Sequence, residues 1–124
     1  MSFYLPTERE NSMSGSKTVI NQSSVPLRIT LVGRTGDAPN ESSSNQGTAY
    51  LDAGAQATVS YGNDSNPYLN EVTLQFSDQY GTVRQTLQVS LRGSSGTLDS
   101  KFNTFGTLAL NYNTSTNSFS ITAS

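Results

Sequence analysis

Apolar side chains recur at every second position along much of the chain from Lys17 to Ala123. In VPLRITLVG, Val25, Leu27, Ile29 and Leu31 alternate with Arg28 and Thr30. Successive side chains of an extended strand point to opposite faces, so this spacing predicts a strand with one buried face. AQATVSY turns Ala55, Ala57, Val59 and Tyr61 inward and Gln56, Thr58 and Ser60 outward. EVTLQFS repeats the pattern with Val72, Leu74 and Phe76, and TVRQTLQVSLR with Val83, Leu87, Val89 and Leu91. GTLALNYN offers Leu108, Leu110 and Tyr112, and NSFSITA offers Phe119, Ile121 and Ala123. The shorter runs KTVIN at 17–21 and TAYL at 48–51 complete a set of about eight strands.

The segments between these runs carry turn chemistry. NQSS before Val25, DAG at 52–54, DQYG at 78–81, RGSSG at 92–96 and NTSTN at 113–117 supply glycine for positive φ, or Asn, Asp and Ser for side-chain-capped turns. GRTGDAPNESSSNQG, residues 33–47, reads as the one long loop. No segment sustains a helical period and no internal repeat is present. The pattern predicts an all-β antiparallel sandwich, lectin-like or immunoglobulin-like in general architecture, as a single domain over residues 16–124. Residues 1–15 read as a flexible tail in which Phe3, Tyr4 and Leu5 form a sticky spot, suited to docking on the domain or on a neighbouring copy.

Composition narrows the function. Charged residues make up 13% of the 124, about half the usual share, and Ser, Thr, Asn, Gln and Gly fill the gap. The polarity is therefore neutral. A net charge of −2 with scattered Arg28, Arg34, Arg84, Arg92 and Lys101 provides no field for phosphates, so nucleic acid is not an expected partner. No run approaches the roughly 18 apolar residues of a membrane helix, and the opening MSFYLPTEREN lacks the features of a signal peptide, so the chain reads as cytoplasmic by default. Cysteine and histidine are both absent. That removes disulfides, thiolate chemistry, imidazole-based triads and the usual zinc ligands.

Few chemical motifs survive inspection. SGSK at 14–17 fits a Ser-x-x-Lys pattern but joins a tail to a strand instead of opening a buried helix. Glu71 and Asp78 flank one strand about 23 Å apart, too far for two cooperating carboxyls. Asp64 with Asn63, Asn66 and Asn70, or Asp37 with Glu41, offers oxygen ligands without the spacing of a calcium loop. No metal or other cofactor is expected. Sequons begin at Asn21, Asn40, Asn63 and Asn113, as chance allows in so Asn-rich a chain.

The best single candidate is YGNDSNPYLNEV at 61–72. As a turn, Gly62 and Asn63 accept a left-handed backbone, Asp64 or Ser65 caps, and Asn66-Pro67 fixes an extended exit. As a site, Asn63, Asp64, Asn66, Tyr68 and Asn70 are the residue types that bind sugar hydroxyls, amides and carboxylate by hydrogen bonds and the ring by stacking. A second feature is the outward set that includes Gln56, Thr58, Ser60, Thr73, Gln75, Ser77, Thr86 and Gln88, an uncharged face suited to a wide polar ligand or a second copy of the chain. The expected function is a non-catalytic recognition module that binds a carbohydrate or other polar ligand through strand-end loops. The alternative is a structural or self-associating sandwich with no small-molecule ligand; a carboxylate-based hydrolase ranks behind both.

Overall fold

A computed structural model describes residues 15–34, 42–62, 68–78, 81–88 and 102–124. Eight strands follow in chain order: β1 (Gly15–Asn21), β2 (Leu27–Arg34), β3 (Ser42–Leu51), β4 (Gln56–Tyr61), β5 (Leu69–Asp78), β6 (Gly81–Gln88), β7 (Thr107–Asn113) and β8 (Ser118–Ala123). A single helical turn at 102–104 is the only helix among the described residues, and none is long and apolar enough to cross a membrane. The strands form two four-stranded sheets, β4-β1-β7-β8 and β3-β2-β5-β6. The fold is thus an all-β sandwich. All pairings are antiparallel except β1 with β7, which run parallel.

The period-two positions supply the core. Leu27, Ile29 and Leu31 of β2 register with Phe76, Leu74 and Val72 of β5, and all six are buried. From the facing sheet come Val19, Val59, Tyr61, Leu108, Leu110, Phe119 and Ile121. Each such side chain is worth about 1.5–3 kcal/mol of burial. Phe76 also crosses between sheets, meeting Tyr112 and Phe119 edge-on at centroid distances of 5.7 and 4.9 Å, the preferred aromatic geometry.

Several boundaries differ from expectation, among them those of β2, which begins at Leu27 and not Val25 and runs on through Gly33 and Arg34. Residues 42–47 belong to β3 and not to a loop. SSSNQG has no apolar alternation to report a strand; pairing with β2, from Leu31↔Gly47 through Arg34↔Ser42, holds it extended. β1 also begins two residues earlier than the KTVIN run predicts, at Gly15. The tail residues Phe3, Tyr4 and Leu5, and Val89 and Leu91, lie outside the described residues.

Carboxamides tie the frame together. Buried Asn21, at the end of β1, donates through Nδ2 to the carbonyls of Val25 (2.9 Å), Leu51 (3.2 Å) and Asp52 (3.2 Å), while its Oδ1 accepts from the Ser23 N–H (3.0 Å) and hydroxyl (2.6 Å). It thereby clamps both the β1–β2 and β3–β4 crossings between sheets. Gln85 sits at an inward position of β6 and meets the Phe119 backbone of β8 with both ends of its amide, at 2.8 and 2.9 Å. Asn103, in the helical turn, does the same to Leu69 at 2.7 and 3.0 Å. A primary amide carries a donor and an acceptor side by side, so it substitutes for a peptide unit where no strand is available.

Candidate functional site

The strand-end loop proposed from sequence is only partly described. Asn63, Asp64 and Asn66 lie outside the described residues, as do Asp37 and Glu41. Tyr68 stands just before β5 and is 46% exposed. The Asn103–Leu69 amide pair brings the chain around it beside the segment carrying Phe105, itself 41% exposed. Asn70 is fully buried. It is the extra residue of a β-bulge, because Val32 registers with Glu71 and Gly33 with Leu69. The other motifs fall as follows. Glu71 and Asp78 occupy the two ends of β5, and Lys17 of SGSK is in a strand. Among the four sequons, Asn21 is buried and Asn113 is exposed; Asn40 and Asn63 are outside the described residues.

A site that the sequence reading did not single out lies on the outer face of the β3-β2-β5-β6 sheet. Cross-strand register aligns Tyr50 with Arg28, Arg28 with Gln75, and Gln75 with Arg84. Their alternation with Leu27, Leu51 and Phe76 turns these side chains outward. Tyr50 is 78% exposed, the most exposed large hydrophobic among the described residues. The Arg28 guanidinium lies 5.9 Å from its ring centroid and donates from Nη2 to Gln75 Oε1. Beside this row is a depression of about 350 Å³ lined by residues that include Pro26, Tyr50, Asp52, Ser77 and Thr82. That volume is within the range of small-ligand sites. The next row along the sheet is all threonine: Thr48, Thr30, Thr73 and Thr86 register in order. Its hydroxyls approach pairwise at 3.1 Å (Thr30–Thr48) and 3.4 Å (Thr73–Thr86). The signal available in the sequence was Tyr50 itself, an aromatic at outward parity within TAYL.

The inner face of the other sheet holds two titratable groups at the Gly15 end of β1. Lys17 is 8% exposed and registers with Val59, while Gly15 registers with Tyr61. Desolvation by burial lowers the Lys17 amine from its ordinary value and pushes the Tyr61 phenol up to about 12, since burial disfavours whichever form is charged. Among the described residues no three His, Cys, Asp or Glu side chains gather as a metal cluster would require. Compared with known proteins, the chain matches no family model, no curated protein and no solved structure.

Proposed function

We propose that the chain is a non-catalytic recognition module that takes a carbohydrate or other polar ligand, with its principal contact on the outer sheet face at Tyr50. The observation that carries this reading is a largely exposed tyrosine ring beside a guanidinium already oriented by Gln75, at a depression whose lining joins the Ser77 and Thr82 hydroxyls to apolar Leu27, Leu51 and Phe76. An exposed ring offers a face to the C–H side of a sugar, and the amide and hydroxyls offer donors and acceptors to its polar edge. Few charges need desolvation across the threonine row. Tyr68 is the second contact point, at the loop end. Leu69 registers with Gly33, five residues along β2 from Arg28, and Tyr68 lies one residue beyond it, so the two tyrosines sit about 20 Å apart along the sheet.

That separation makes the test decisive. Glycan-array screening of the wild type, Tyr50→Ala and Tyr68→Ala assigns the contact, with circular dichroism confirming intact sheet in each variant. Loss of binding in Tyr50→Ala places the ligand on the sheet face. Loss confined to Tyr68→Ala returns it to the strand-end loop. Self-association is the alternative function, favoured by Tyr68 and Phe105 being exposed at the same end. It predicts an oligomer that Tyr68→Ala and Phe105→Ala dissociate, with no glycan bound.

A further inference from the structure

We infer that the depression beside Tyr50 is built for a carboxylate-bearing sugar, with Arg28 receiving the carboxylate; this rests on the recognition reading above and names its ligand class. Charge carries the inference. On a chain with net charge −2, one cross-strand row carries two guanidiniums, Arg28 and Arg84, on either side of Gln75. Adjacent strands are about 4.8 Å apart, which sets their backbones about 10 Å apart on one face. Among the described residues neither arginine has an ion-pair partner; Arg28 contacts the Gln75 amide and the Tyr50 ring. Asp52 is the single acid lining the depression.

Geometry adds preorganisation. The hydrogen bond to Gln75 Oε1 employs one Nη2 proton of Arg28 and fixes the guanidinium plane. Its remaining N–H groups keep the fork arrangement that matches a carboxylate in bidentate fashion. Holding the side chain before the ligand arrives reduces the rotamer entropy lost on binding. Three demands then meet in one ligand. The guanidinium needs an anion, the Tyr50 ring needs an apolar face, and Ser77, Thr82 and the Gln75 amide need hydroxyls. A neutral sugar would cover Arg28 without a counter-charge, which is unfavourable. A simple anion would leave the exposed ring unused.

The test is an NMR titration of the folded chain with a galacturonic acid oligomer, its methyl ester, a neutral galactose oligomer and poly-glutamate. The acid oligomer is expected to shift resonances of Tyr50, Arg28 and Gln75 and to bind more tightly than the ester. Arg28→Gln is expected to weaken the acid about ten- to a hundredfold and to abolish the preference for acid over ester. Equal affinity for acid and ester would overturn the anionic assignment and leave the recognition reading standing. Poly-glutamate binding as tightly as the acid would overturn the sugar half, and shifts confined to Tyr68 would overturn the location. If no saccharide of any charge perturbs either tyrosine, the recognition reading itself fails and this inference with it.

Discussion

Asn21 joins three segments of backbone at its end of the sandwich. Its amide meets three backbone carbonyls and two groups of Ser23 without access to water. Truncation leaves those partners desolvated and unsatisfied, so Asn21→Ala is expected to cost about 2–4 kcal/mol. In a domain of this size, thermal melting should fall by roughly 10 °C. Asn21→Asp should be worse at neutral pH, because a carboxylate would face the carbonyls that Nδ2 now serves. Burial among acceptors raises that carboxyl's folded-state pKa, so the folded state binds its proton more readily than the unfolded chain. Stability of the Asp variant should therefore recover as pH falls through the raised value, which melting curves at neutral and mildly acidic pH will reveal. In the sequence, Asn21 is one polar residue in a turn-like NQSS; nothing local marks it as buried.

At the scale of elements, the two open sides of the sandwich close by different devices. On one side, edge strands β3 and β4 come so near that a Cβ on Gly47 would lie 2.0 Å from the Ser60 carbonyl oxygen and 2.9 Å from Val59 Cγ1. Backbone cannot yield as a flexible side chain can. Gly47→Ala should therefore cost about 1–3 kcal/mol or more by prising β3 from β4, read as a lowered midpoint in urea. On the other side, the Gln85 amide occupies the Phe119 N–H and carbonyl, backbone groups that an edge strand otherwise offers to another chain. Gln85→Ala should cost about 1–2 kcal/mol and speed hydrogen exchange at the Phe119 amide. It should also promote association at high concentration, visible by size-exclusion chromatography. The alternation Val83, Leu87 was legible as a strand, but a glutamine at the intervening inward position breaks the pattern. Its reason lies on β8, 34 residues away. The polar half of β3 was illegible for a related cause: its pairing with β2, and not its own apolar content, makes it a strand.

Across the whole molecule, two buried groups set opposing pH dependences. The Lys17 amine is depressed by burial, so on approaching its ordinary range from below, the unfolded chain holds more protons than the folded one and stability rises with pH. Tyr61 runs the other way. Its folded pKa of about 12 exceeds the ordinary phenol value of 10.0; between these values the folded state retains a proton that the unfolded state has lost. Stability should fall across that window by roughly 2 kcal/mol. Tyr61→Phe should flatten the fall, and Lys17→Met should raise the melting temperature at neutral pH by removing a desolvated charge. Chemical denaturation of wild type and both variants from neutrality to strongly alkaline pH checks each sign. The recognition face belongs to the same scale, since Tyr50, Arg28 and Gln75 come from three different strands, with Arg28 and Gln75 47 positions apart.

Along the apolar runs the sequence by itself determined which side of the strand faces the core. The extended backbone alternates faces residue by residue, and Val, Ile, Leu, Phe and Tyr at that period leave one consistent core face. It also determined the all-β class, the turn positions at 52–54 and 113–117, and the exclusion of imidazole and thiol chemistry. Only the tertiary structure decided which strands are neighbours. The parallel pairing of β1 with β7, the seam at Gly47, the amide latch on Phe119 and the Tyr50–Arg28–Gln75 row depend on long-range register. Alternation reports a strand's faces but carries no information about its hydrogen-bonding edges, and those edges chose the partners.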